Sequence, residues 1–230
     1  MTLNDYKREF LLHLVRTGAI RFGSFKLKSG RLSPYFINIA DAMRTGSDAV
    51  KVANAYAARI KELDIEFDYI HGAAYKGIPL AALLAAKLSE LGTGIGVEMD
   101  KRWGYDRKEE KRYGEEGAIV GELRDGDTVL IVDDVITTGA TKVESWLKLA
   151  SMRRDVKPAG ILVAVDREEM SDADKKMLAR YQLSLYSILK ITEIFKFLHN
   201  REIDGKVYVD DGMMRDFKQY FRQYVPETQC

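Results

Sequence analysis

Val129-Leu130-Ile131-Val132-Asp133-Asp134-Val135-Ile136-Thr137-Thr138-Gly139-Ala140-Thr141 is the stretch that decides how this chain folds. A short continuous apolar run reads as a buried strand, and it delivers two adjacent carboxylates to its C-terminal end. A tight turn of threonine and glycine follows, and then a helix begins. Backbone N–H groups at a helix N-terminus, together with the helix dipole, favour a phosphate. The threonine hydroxyls add donors, and Gly139 lets the backbone approach a ligand closely. Carboxylates beside such a turn suit hydrogen bonds to a sugar diol rather than to the anion itself. An isolated Asp-Asp pair would read more simply as an acidic rim above a threonine cap.

Outward from this stretch, short apolar runs alternate with segments of helical period. Phe67-Asp68-Tyr69-Ile70, Ile95-Gly96-Val97-Glu98-Met99, Thr128-Val129-Leu130-Ile131-Val132, Gly160-Ile161-Leu162-Val163-Ala164-Val165 and Ser184-Leu185-Tyr186-Ser187-Ile188-Leu189 read as strands. Ser47 and Asp48 can cap a helix with Ala53, Tyr56, Ala57, Ile60 and Leu63 on one face. Residues 78–91 read as a buried helix, with Pro79 tolerated in its first turn. Val143, Trp146, Leu147 and Ala150 mark a further amphipathic helix. Continuous apolar strands separated by helices predict an α/β fold with a central parallel sheet flanked by helices. Residues 1–44 read as an N-terminal hood, 45–200 as the core and 201–230 as a C-terminal extension. Residues 101–126, dense in charge and without apolar periodicity, read as a long mobile loop.

Composition narrows the function classes. The 230 residues are 46% hydrophobic and carry a net charge of +1, so a real core is available and no bulk charge draws the chain to nucleic acid or membrane. The longest greasy stretch, interrupted by Lys87, is too short to span a bilayer. The first residues lack the pattern of a signal peptide. Cys230 is the only cysteine, which excludes an internal disulfide. His13, His71 and His199 have no partner at metal-ligand spacing. A soluble cytoplasmic protein is the expectation.

The string from Val129 to Thr141 resembles the phosphoribosyl pyrophosphate (PRPP) motif of type I phosphoribosyltransferases. Other segments, in the same order along the chain, resemble orotate phosphoribosyltransferases in particular. Phe25-Lys26-Leu27-Lys28-Ser29-Gly30-Arg31-Leu32-Ser33-Pro34-Tyr35-Phe36-Ile37-Asn38 is similar to that family's N-terminal signature. Ala74-Tyr75-Lys76-Gly77 is similar to its pyrophosphate loop, and Arg107-Lys108-Glu109-Glu110-Lys111-Arg112-Tyr113-Gly114-Glu115-Glu116-Gly117 to its mobile catalytic loop. Asp166-Arg167 matches an arginine that recognises the orotate carboxylate.

The resemblance implies a type I phosphoribosyltransferase fold with an N-terminal hood, residues 101–117 being the catalytic loop. It implies Mg²⁺ as cofactor, orotate and PRPP as substrates, and a homodimer that shares the catalytic loop across subunits. PRPP and pyrophosphate fall to Lys28, Lys76, Arg107, Lys108, Lys111, Asp133, Asp134, Val135, Ile136, Thr137, Thr138, Gly139, Ala140 and Thr141. Among these, Lys108, Lys111, Asp133 and Asp134 are the catalytic candidates. Orotate falls to Lys28, Phe36, Ile37, Tyr75, Thr137 and Arg167. At Tyr113 the chain departs from the family, which usually carries histidine there. A tyrosine, with an ordinary pKa of about 10, stays neutral and offers a hydrogen bond in place of a charge. Phosphoribosyltransferases acting on other bases and a PRPP-sensing regulatory protein are the alternative readings.

Overall fold

The structure is a computed structural model, and it describes residues 3–27, 30–95, 99–107 and 119–224. In chain order the elements are α1 (Asp5–Arg16), β1 (Ile20–Lys26), β2 (Leu32–Ile37), α2 (Gly46–Leu63), β3 (Tyr69–Gly72), α3 (Gly77–Ile95), β4 (Arg102–Asp106) and β5 (Ile119–Gly121). They continue as β6 (Thr128–Ile136), α4 (Ala140–Met152), β7 (Lys157–Asp166), α5 (Asp172–Arg180), β8 (Leu185–Lys190), α6 (Ile191–Leu198), β9 (Glu202–Ile203), β10 (Lys206–Val207) and α7 (Asp211–Tyr224).

Six strands form the central sheet in the order β5-β4-β3-β6-β7-β8, parallel except for the β4–β5 pair at one edge. Alternation along β6 sorts its side chains between two cores, because successive residues of a strand point to opposite faces. Leu130 and Val132 belong to the larger core, to which α1, α2, α3, α6 and α7 also contribute. Val129 and Ile131 pack with Val143, Trp146 and Leu149 of α4 and Leu178 of α5. Both faces are therefore covered, which is why these strands read as unbroken apolar runs.

The N-terminal β1–β2 hairpin is a separate two-stranded sheet. It is fastened to the C-terminal part of the chain by aromatics. Phe22 meets Phe195 edge-on at 5.4 Å, Tyr35 meets Phe195 at 5.8 Å, and Phe195 stacks on Phe217. Helix α7 thus closes over the hairpin rather than standing apart as a tail.

Three expectations change. Ile95 belongs to the end of α3, 96–98 lie outside the described residues, and the strand that pairs with β3 on that side comes later in the chain. It is β4, inside the segment that read as loop, where Gly104 and the alternating Tyr105 and Asp106 hid a strand among charges. Leu63, Leu147 and Ala150 are exposed, and the inward face of α4 is Lys142, Val143, Ser145, Trp146 and Leu149. The cap of α2 is Thr45, whose hydroxyl accepts the Asp48 N–H.

Candidate active site

The C-terminal ends of β3, β6 and β7 meet at one rim of the sheet. Open α/β sheets bind ligands there, because the loops leaving the strands are free to vary while the strands fix their roots. The 133–134 acids lie in the last turns of β6, still paired to β7 through Asp133↔Val163 and Val135↔Val165. Alternation sends the two carboxylates to opposite faces. Asp134 Oδ2 accepts from Lys76 Nζ at 2.7 Å, and its Oδ1 accepts the Val135 N–H at 2.8 Å. Asp133 Oδ1 accepts the Asp134 N–H, and its Oδ2 contacts Lys142 Nζ. The Asp133 carbonyl accepts the hydroxyl of the fully buried Tyr56 at 2.7 Å. The Asp133 carboxyl stands above its ordinary range: burial raises it most, the Lys142 ammonium only partly offsets that, and the neighbouring Asp134 charge adds to the rise.

Thr137, Thr138, Ala140 and Thr141 are exposed around the turn. Gly139 takes a left-handed φ of 82° at the N-cap of α4, so the turn needs glycine there. Val135 is half-buried, whereas Ile136 is 1% exposed and packs in the core below, so its side chain supports the turn from beneath.

Lys76 and Tyr75 sit in the loop between β3 and α3, which begins at a tight glycine pair. A Cβ on Gly77 would lie 2.4 Å from the Val132 carbonyl oxygen, and one on Gly72 would lie 2.5 Å from the Gly77 oxygen. This close approach holds the loop against the end of β6 and brings Lys76 within reach of Asp134. Tyr75 is exposed.

Arg167 follows β7, where Ile136 pairs with Asp166, so register places it beside the 137–141 turn. Its guanidinium lies over the Tyr35 ring at 4.6 Å. Nε and Nη2 donate to Glu169 Oε1 at 3.0 and 2.8 Å. The hydroxyls of Tyr35 and Tyr220 donate to the same oxygen at 2.8 and 2.9 Å. Burial alone would favour an uncharged Arg167, but Tyr35, Glu169 and Tyr220 hold it firmly charged. The ion-pair partner of Arg167 is therefore Glu169.

Phe36 leaves β2 on the side opposite Tyr35 and carries the Arg21 guanidinium over its ring at 4.9 Å. Ile37 is buried in the larger core, which makes it a packing residue at the base of the hairpin. Arg107 is half-buried just past β4. Lys28, Lys108, Lys111 and Tyr113 lie outside the described residues.

Sequence reasoning passed over Lys142, Glu169, Tyr35 and Tyr220. Lys142 had a visible signal: a lysine three residues before Ser145 and four before Trp146, on what became the inward face of α4. Tyr220 had none, since its partner is 51 residues away.

A rim with adjacent acids on one strand, a phosphate-type turn and a lysine from the next loop defines a phosphoribosyltransferase. The phosphoribosyl transferase domain family matches residues 41–188. The chain is 36% identical to the orotate phosphoribosyltransferase of Kluyveromyces lactis over 229 residues, covering 96% of each protein. It is 39% identical to that of Pseudomonas putida over 200 residues, 85% of this chain and 90% of that one. Among solved structures, orotate phosphoribosyltransferase from Francisella tularensis superposes with a TM-score of 0.76 at 32% identity, covering 95% of this chain and 100% of that one. This chain belongs to the orotate phosphoribosyltransferase family.

Proposed function

We propose that this chain transfers the 5-phosphoribosyl group of PRPP to a ring nitrogen of orotate, giving orotidine 5′-monophosphate and pyrophosphate, a step of UMP synthesis. The observation that carries the reading is the rim of β6, with Asp133 and Asp134 beside the exposed 137–141 turn, in a chain of this family. The backbone and hydroxyls of that turn hold the 5′-phosphate. Asp133 and Asp134 accept the ribose hydroxyls and so fix the anomeric carbon.

As pyrophosphate leaves, the sugar gains positive charge and the leaving group gains negative charge, which cations already in place stabilise. Lys76 supplies one, with Arg107, Lys108 and Lys111 as the other candidates. Lys28, Phe36 and Arg167 position orotate, the arginine through its carboxylate. Tyr75 walls the orotate ring, and Ile37 supports that wall from the core behind it. Residues 1–44 act as a hood, and 101–117, which start with β4, act as the catalytic loop. Two copies of the chain share that loop.

We take Mg²⁺ as the cofactor: the exposed 137–141 turn leaves the rim open to a hydrated ion that arrives with the phosphates of PRPP. When bound, Mg²⁺ would neutralise the pyrophosphate, held mostly by substrate and water. Among the described residues no helix is long and apolar enough to cross a membrane, and we place the enzyme in the cytoplasm.

The test is an assay of purified protein with orotate, PRPP and Mg²⁺, following orotate loss and pyrophosphate release together. Stoichiometric, Mg²⁺-dependent turnover is the expected result. Turnover with adenine, hypoxanthine or uracil but not orotate would overturn the base assignment.

A further inference from the structure

Two lysines close the two acids of β6, and they do so differently. The side chain of Lys76 is 49% exposed where it meets Asp134, so it can leave at little cost when a ligand arrives. The side chain of Lys142 is 7% exposed and that of Asp133 11%. Lys142 Nζ also lies 3.3 Å from the Thr141 hydroxyl oxygen and 3.5 Å from the Val135 carbonyl. One buried ammonium thereby joins the strand end, the phosphate turn and the first turn of α4. A buried lysine is costly unless its protons and charge are matched, so a structural pair alone would be a poor exchange for an apolar residue at this inward position. Its placement against an acid of the ribose site gives it another use.

We propose that Lys142 is a positioning residue for PRPP, holding the Asp133 carboxylate in one orientation as a charged acceptor for the ribose diol. This inference rests on the assignment of Asp133 to the ribose. Asp133 Oδ1 is aligned by the Asp134 N–H and Oδ2 by Lys142, which fixes the plane of the carboxylate and leaves lone pairs on both oxygens for the sugar. The charged and titratable groups around it are Lys142 from α4, Asp134 on the same strand, Lys76 from the loop after β3, and the Tyr56 hydroxyl from α2 on the Asp133 carbonyl. His71 lies further back on the same face, opposite Ile131. Of the cations, Lys142 touches Asp133 directly. Without it, burial and Asp134 would both favour a protonated Asp133, a poorer acceptor for the diol.

The test is Lys142→Met, which keeps the side-chain length and removes the charge. Two readouts are needed: the ¹³C titration of the Asp133 carboxyl, and kcat/KM for PRPP as a function of pH. We expect the Asp133 titration and the acid limb of kcat/KM to move up together by roughly one pH unit or more. Activity should recover toward wild type on the alkaline side, and the orotate KM should stay within about twofold, less than RT-scale energy in a charged contact. An unmoved Asp133 titration, or a loss equal at every pH, would overturn the proposal.

Should Lys142→Met fail to fold, the double variant Asp133→Asn/Lys142→Met leaves neither charge uncompensated. It should bind PRPP no worse than Asp133→Asn alone, because Lys142 acts through Asp133, and a further loss in the double variant would refute the role. Asp134→Asn leaves the Lys142–Asp133 pair intact and tests the ribose assignment separately. If Asp134→Asn and Asp133→Asn both bind PRPP as wild type does, the site assignment falls and this inference with it. An unshifted Asp133 titration in Lys142→Met removes only the inference.

Discussion

His71 Nε2 lies 3.2 Å from Asp106 Oδ1, with the imidazole fully buried and the carboxylate 6% exposed. His71 is on β3, Asp106 is the last residue of β4, and Ser145 of α4 donates its hydroxyl to Asp106 Oδ2. The contact therefore pins the end of β4 to the central strand and to the covering helix. It stands one residue before the β3–α3 loop begins its glycine turn and one residue before Arg107. The rim that carries the proposed cations is rooted in this buried polar pair.

Asp106→Asn should cost about 1–3 kcal/mol of stability at neutral pH, because the Ser145 hydroxyl loses a charged acceptor, and His71 a charged neighbour, in a dry setting. Burial pushes the Asp106 carboxyl up, but His71 at 3.2 Å, the Ser145 hydroxyl and Lys148 together set it below the usual carboxylate range. A group with a depressed folded pKa adds stability above its unfolded pKa and loses it as pH falls through the folded one. Urea unfolding across pH should therefore show wild type losing this increment on the acid side, below the ordinary carboxylate range. The Asn variant should lack that part of the slope. Parallel slopes would show that the pair contributes no pH-linked stability.

Glu169→Gln should weaken orotate binding while leaving PRPP nearly untouched. Glu169 Oε1 accepts from Arg167, Tyr35 and Tyr220, and Oε2 meets Arg31 at 3.3 Å. Removing its charge leaves Arg167 without the anion that sets its plane, and a guanidinium binds a carboxylate well only when its fork is aimed. A rise of roughly tenfold in the orotate KM corresponds to about 1.4 kcal/mol, within the range of one charged hydrogen bond. Tyr220→Phe should give a smaller change of the same kind. Equal rises in the KM of orotate and PRPP would mean that the network supports the fold and does not aim Arg167.

The part of this architecture legible in the sequence is the part fixed by local chemistry. The β6 stretch from Val129 to Ile136 showed itself because a strand buried on both faces must be apolar until it reaches the rim, and Asp133 marks where the rim begins. Strand β4 did not, since one strand in from the sheet edge Arg102 can pair with Asp127 at 2.6 Å, so this strand needs charge as well as grease. Its Gly104 leaves room for the neighbouring Tyr69 hydroxyl, which a Cβ there would strike at 2.0 Å. That reads locally as loop composition.

The same division holds in the site. Lys76 and Asp134 were visible as motif residues, although nothing local said that they would meet. Of the groups around Arg167, Tyr35 and Tyr220 come from β2 and α7, and such long-range neighbours leave no spacing to read.

Gly77→Ala should destabilise the protein by at least about 1–3 kcal/mol, the usual cost of forcing extra atoms into a packed region. The Cβ would stand 2.4 Å from the Val132 oxygen and 3.0 Å from the Gly72 carbonyl carbon, and both are backbone atoms that cannot swing aside. Relief requires the β3–α3 loop to lift from β6, which carries Lys76 away from Asp134. Thermal denaturation of the variant beside Gly46→Ala, at a glycine where a Cβ meets nothing, checks the claim. Similar melting temperatures for the two variants would contradict it.

Lys76→Ala should separate stability from turnover. In the free protein Lys76 bonds Asp134 at 2.7 Å, but its side chain is half exposed, and exposed ion pairs contribute about 1 kcal/mol or less. During the reaction the same ammonium is assigned to the departing pyrophosphate, in a site closed to water, where removing one preorganised donor costs roughly 10²–10³ in kcat. The variant should therefore melt close to wild type and turn over far more slowly. If PRPP KM rises while kcat holds, Lys76 binds ground state and transition state equally and has no special hold on the leaving group. If stability falls by several kcal/mol with kcat intact, its task is to neutralise Asp134, and the leaving-group cation must be sought among the remaining basic residues of the rim.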